Sequence, residues 1–233
     1  MRYFVILVSL AATVCGQNQS TMPVEQEPHH HQIFQNARTR VFLVELAPGE
    51  EMPMHLHERG YIGVMLTNAQ LTITTAGKPP VKAHVAAGTI GRYVPAPLIH
   101  SAINDSPAPL RSLDIELTEP QGATKPSKQP PSHYCNPGSK TACVDEKYLF
   151  CTDKVCVSDV TMGEDAITMK HSHATDHMIV ALTDYRLSDN VEGKGTNVRV
   201  QQSGSVEYIP AGITHQLTNI SHHPVRFLVM VFR

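Results

Sequence analysis

His171-Ser172-His173 is the feature that most narrows what this chain can fold into. Side chains on an extended strand alternate between faces, so residues two apart point the same way. A transition metal needs ligands that converge from one side, and two imidazoles on one strand face supply two of them. His177 follows after three residues and can reach the same point across a strand end. His215 arrives from a distant strand, delivered by Pro210-Ala211-Gly212-Ile213-Thr214. Pro210 and Gly212 read structurally, as a tight inter-strand turn that needs a fixed φ and an unusual backbone conformation. Four neutral imidazoles suit Mn, Fe, Ni, Zn or Cu, whereas Ca and Mg prefer oxygen ligands.

Gly163, His171, His173 and His177, followed by Gly204-x5-Pro210-x-Gly212-x2-His215-x3-Asn219, resemble the paired motifs of the cupin family. The closing motif matches at every fixed position. The opening one carries His177 where most cupins have Glu, and its Gly163 lies two residues further out. Some cupins bind metal through four histidines, so this departure alters the charge of a site without removing it. A lone strand histidine is more often a surface or hydrogen-bonded group than a ligand, but four at this family's spacing reverse that balance. Asn219 reads as structural.

The first half repeats the pattern. Gly49, five residues and His55-Leu56-His57 match the opening motif. Pro95-Ala96-Pro97-Leu98-Ile99-His100 with Asn104 echoes the closing one, Pro97 replacing its Gly. The chain therefore resembles a bicupin produced by internal duplication. His55, His57 and His100 form a three-histidine face with open positions for water and substrate. Tyr61 stands where His177 stands in the other half, and a phenol titrating near ~10 is a poor metal ligand. Tyr61 reads as an acid/base, as a group that orients a ligand, or as a hydrogen-bonded barrel tyrosine. Glu51 and Glu58 do not match the offset of the family's glutamate, and a pocket that has lost its metal is the competing reading for this half.

The rest of the chain reads as all-β. Val41–Leu46, Tyr61–Leu66, Gln70–Thr75, Thr89–Val94 and Leu110–Leu117 are short apolar-rich runs, most of them bounded by Gly, Pro, Asn or Asp, with no helical periodicity between them. Ile179–Leu182, Thr196–Gln202, Ser205–Ile209 and Val225–Phe232 continue the pattern. The expected fold is two tandem cupin-type double-stranded β-helix (jelly-roll) barrels, 38–117 and 156–233. Residues 118–155 are expected to join them as a Pro-rich linker that carries a cysteine cluster. In that cluster Cys135, Cys143, Cys151 and Cys156 are separated by seven, seven and four residues. These gaps do not resemble the close Cys-x2-Cys pairs of zinc sites. In an exported protein they read as two disulfides, three pairings exist, and Cys135–Cys143 with Cys151–Cys156 is the most local.

Export is the expectation from residues 1–16. Arg2, the apolar run from Tyr3 to Val14 and Val14-Cys15-Gly16 read as a secretory signal cleaved before Gln17. Cys15 raises a lipoprotein alternative, which Val14 fits poorly. Residues 17–37 read as a polar N-terminal arm, and His29-His30-His31 within it as a solvated loop, with adventitious metal pick-up by the triplet as the alternative. The mature protein is then secreted or periplasmic, with no stable membrane insertion after signal cleavage.

A formal charge of -2, no basic-aromatic patches and no Trp argue against nucleic acid as a partner. No Gly-x-Ser-x-Gly elbow, phosphate-binding loop or His-Glu-x-x-His is present. The resemblance implies a divalent transition metal (Mn, Fe, Ni, Zn or Cu) and a small-molecule metalloenzyme of dioxygenase, isomerase, lyase or decarboxylase type. Uncharged ligands leave the ion its full charge, so the expected substrate is oxygen-rich and anionic or chelating. The alternative is a non-catalytic cupin that binds metal or a small ligand, and a third reading is a structural or interaction module. Barrel association in the family implies a homodimer.

Overall fold

The computed structural model describes residues 21–233. The expected signal segment, with Cys15, lies outside the described residues. The described chain is built from strands, with one short 3-10 turn at Val24–Gln26, and none of its helices is long and apolar enough to cross a membrane.

Four sheets carry the fold. Sheet one orders Met22–Pro23, Glu51–His57, Leu98–Asn104, Ala69–Thr75 and Val81–Val85. Sheet two orders His30–Gln35, Thr39–Leu46, Leu110–Leu117, Tyr61–Met65 and Ile90–Val94. Sheet three runs Lys125–Pro126, Cys143–Cys151, Val155–Met162, Val225–Phe232, His177–Ala181 and Val206–Ile209, with Ser132–Cys135 paired to Cys143–Cys151. Sheet four orders His171–Ser172, Thr214–Asn219, Tyr185–Val191 and Gly195–Gln201. Sheets one and four thus share one strand order, and sheets two and three another. Each half is a pair of packed sheets rather than a closed barrel, because the ladders remain separate and end on edge strands.

Three apolar layers bind these sheets. Val44, Leu46, Met52, Leu71 and Leu110 fill the space between sheets one and two. Val144, Met162, Leu187, Leu217 and Phe227 do the same for sheets three and four. The largest layer lies between the halves, where Ile62, Leu113 and Ile115 of sheet two meet Met178, Leu228 and Met230 of sheet three. Sheets two and three are therefore covered on both faces, which explains continuous apolar runs such as Phe227-Leu228-Val229-Met230-Val231-Phe232. Along that strand Leu228, Met230 and Phe232 face the other half, while Val225 and Phe227 face their own.

Two expectations need correction. Residues 118–155 are not a loop-rich connector throughout, since Cys143–Cys151 is a strand inside sheet three and Val144 and Phe150 on it are buried. The disulfides are Cys135–Cys143 and Cys151–Cys156, and each joins residues directly opposite one another across a strand pair. The N-terminal segment is likewise part of a sheet. His30–Gln35 pairs with Thr39–Leu46, and His30 is buried rather than solvated. Its hydrogen bonds to buried carboxylates, described below, offset the cost of taking an imidazole out of water.

Candidate functional site

In the second half the turn before His215 is shaped by Gly212, whose φ of +81° suits a residue without Cβ. The Gly212 amide donates to the His173 carbonyl at 3.0 Å, tying the two motifs together. His171 and His215 are direct cross-strand partners. His171, His173 and His215 each offer a ring nitrogen within 4.8 Å of the others. His177 does not join that group. Its ring stacks on His173 at 3.8 Å between centroids, and both its nitrogens are buried without a hydrogen-bond partner among the described residues.

The ring orientations are held from behind. His171 Nδ1 meets the Met169 carbonyl at 2.8 Å, and His215 Nδ1 meets Asp189 Oδ1 at 2.9 Å. These oxygens accept, so each Nδ1 carries the proton and each Nε2 keeps its lone pair. Asp189 is fixed in turn by the Arg199 guanidinium, 2.8 Å from its other oxygen, and Arg199 also pairs with Glu207. His215 Nε2 is buried and has no partner among the described residues. Burial, then neighbouring imidazoles, lowers His173 to about 4 and His177 to about 3. Burial also lowers His215. These three histidines are therefore neutral near pH 7, the form a metal requires.

These histidines line a cavity of about 750 Å³. Glu146, Tyr148, Lys128 and Arg233 line it as well. Glu146 accepts hydrogen bonds from Tyr148 and Ser158, each at 2.8 Å. Burial and Glu146 push the Tyr148 phenol up to about 12. Neither Glu146 nor Tyr148 belongs to a sequence motif, and both lie in the span that reads as linker.

The first half gathers a different set. His55 and His100 are direct cross-strand partners with ring centroids 4.5 Å apart. The tight group of ring nitrogens, however, is His30, His55 and His57, while His100 Nε2 is buried without a partner among the described residues. Tyr61 stacks on His57 at 4.6 Å, and burial, then Asp114 and Glu116, drives its phenol up. Glu51 and Glu58 are exposed. Glu27, Asp114 and Glu116 are the buried carboxylates instead. Burial holds His55 at about 4 and His100 at about 3. For His30, burial opposes the charge but hydrogen bonds to Asp114 and Glu27 outweigh it, raising it to about 9.

The halves also match atom by atom away from the histidines. Asn104 Nδ2 donates to the carbonyls of Leu46, Ala47 and Ala108, and Asn219 Nδ2 to those of Met162, Gly163 and His223. Each side-chain oxygen accepts from the amide two residues on, Ser106 or Ser221.

No protein-family model matches the chain, and no curated protein matches it. Solved structures do. AerE from Microcystis aeruginosa superposes with a TM-score of 0.63 at 15% identity, over 91% of this chain and 96% of that one. A cupin 2 conserved barrel domain protein from Leptotrichia buccalis gives 0.52 at 14% identity, over 88% of each chain. The chain has the cupin fold. Oxalate decarboxylase from Bacillus subtilis gives 0.56 at 15% identity, over 83% of this chain and 68% of that one. Within this cupin fold the convergent imidazoles of the second half, with His215 buried and His171 and His173 half-buried, fit a divalent transition metal.

Proposed function

We propose that this protein is a bicupin metalloenzyme whose second half acts on a small, oxygen-rich, anionic or chelating molecule. One observation carries the reading: His171, His173 and His215 converge on the lining of a cavity large enough for a small substrate. A divalent transition metal held by those nitrogens would supply Lewis-acid polarisation of a substrate oxygen. Asp189 and the Met169 carbonyl keep the ligand nitrogens aimed, and His177 closes the wall behind His173. Lys128 and Arg233 place positive charge on the cavity lining, which attracts an anionic substrate. Glu146, aimed by Tyr148 and Ser158, is the carboxylate on that lining able to accept or return a proton.

Mn(II) centres are named for the oxalate decarboxylase of Bacillus subtilis, so manganese and small dicarboxylates head the screen. Two disulfides support export to a non-reducing compartment. The test is turnover of small di-acids, keto acids and enediols by metal-loaded protein and by its His171→Ala/His215→Ala variant. Turnover lost in the variant is the expected result. Metal-dependent binding without turnover would favour the non-catalytic ligand-binding reading, and absence of metal from the folded wild type would overturn both.

A further inference from the structure

We propose, resting on the metalloenzyme reading above, that the molecule taken by the second half is an organic acid with a carbon-rich, apolar body. That body, an aromatic ring or larger, is seated on Val229, Val231 and Ile179 beside the histidines.

The two halves build one wall in two chemistries. Asn104 binds the Leu46 carbonyl as Asn219 binds that of Met162, which makes these two positions equivalent. Leu46 pairs with Leu110, and Met162 with Val225. Leu110–Leu117 and Val225–Phe232 therefore correspond residue for residue. Leu113, Ile115 and Leu117 match Leu228, Met230 and Phe232, and all six belong to the layer between the halves. On the opposite face Asp114 matches Val229 and Glu116 matches Val231.

In the first half this face is used up inside the protein. Asp114 Oδ2 accepts from His30 Nε2 at 3.3 Å, and Glu116 Oε1 lies 3.3 Å from His57 Nδ1. Arg40 holds the other Glu116 oxygen at 2.7 Å. All five side chains are buried, and they satisfy one another. In the second half the same two positions carry no charge. Val229 and Val231 line the cavity together with His171, His173 and His215. Both valines are half-buried on a strand where Leu228 and Met230 are fully buried. Ile179 stands directly across from Val229 and lines the same cavity.

Two consequences follow for the ligand. Without carboxylates at these positions, nothing on this wall repels an anion brought up to the histidines. The valines instead present apolar surface that a carbon-rich group covers at a gain and a short di-acid leaves wet. A cavity of about 750 Å³ is also far larger than a short-chain acid fills. Lys128 and Arg233 on its lining suit the acid group.

The test compares pyruvate with phenylglyoxylate, which share a 2-oxo acid head and differ by methyl against phenyl. Calorimetric titration of the Mn(II)-loaded full chain should show phenylglyoxylate binding about tenfold tighter or more. Val229→Asp, which copies the first half, should bring that ratio down to about one, since a charged wall no longer favours the ring. The added charge repels both acids alike, so the ratio isolates the apolar contact. Val229→Thr keeps the side-chain shape and should lower the ratio by a smaller factor, and circular dichroism checks that both variants fold. Equal binding of the two acids by wild type, or a ratio unchanged in the folded Val229 variants, overturns the inference and leaves the metal site standing. Pyruvate binding that survives His171→Ala/His215→Ala, or no binding of either acid by wild type, overturns the metalloenzyme reading and this inference with it.

Discussion

Each histidine here is defined less by its position than by what its Nδ1 touches. His55 and His171 both meet a carbonyl two residues back, Pro53 or Met169, so the two halves aim their first imidazole by one local device. The consequence for pH can be stated with its sign. In metal-free protein, burial holds His173 and His55 at about 4, and His177 and His100 at about 3. Unfolded imidazole titrates near 6.5. Below that pH the unfolded chain takes up protons that the folded chain refuses, so stability falls as pH drops from 6.5 toward 4. His30 has the opposite sign. Asp114 and Glu27 overcome its burial and raise it to about 9, so its contribution is full below 6.5 and is lost as pH rises through about 9. Urea midpoints of metal-free protein at about pH 4.5, 6.5 and 8.5 should therefore be highest at the middle value.

At the scale of elements, the turn after each closing motif is held by an asparagine. Asn219 is fully buried and satisfies three carbonyls and one amide. Asn219→Ala strands those groups and should cost about 3 kcal/mol or more in urea unfolding, with Asn104→Ala costing a similar amount. Strand alternation has a second lesson. In Leu110–Leu117 the apolar Leu113, Ile115 and Leu117 face the neighbouring half, while Asp114 and Glu116 turn toward the histidines of their own half. A polar face on an alternating strand ordinarily reads as the wet one. Here the two faces exchange roles because the second half covers the outside of sheet two.

The whole molecule is a stack of four sheets whose largest apolar layer joins the two halves rather than filling either one. Leu228, fully buried in that layer, reports on the coupling. Leu228→Ala should cost about 2–5 kcal/mol, and amide exchange should accelerate together in Leu110–Leu117 and Val225–Phe232. Faster exchange confined to one half would show that the halves are energetically separate.

Much of this was legible in the residues alone, because spacing encodes local geometry. The period of two placed His171 beside His173 and His55 beside His57, Pro210 and Gly212 marked the turn, and strand punctuation with the histidine spacing indicated an all-β cupin fold. The most local cysteine pairing was legible too, since short separations limit what can meet. The remaining features required the chain to be packed. That His30 enters the first cluster, that Asp114 and Glu116 point inward, that His177 stacks on His173, and that Glu146 lines the cavity are facts of long-range contact. Spacing tells which side chains share a face; only the tertiary structure decides what that face is pressed against.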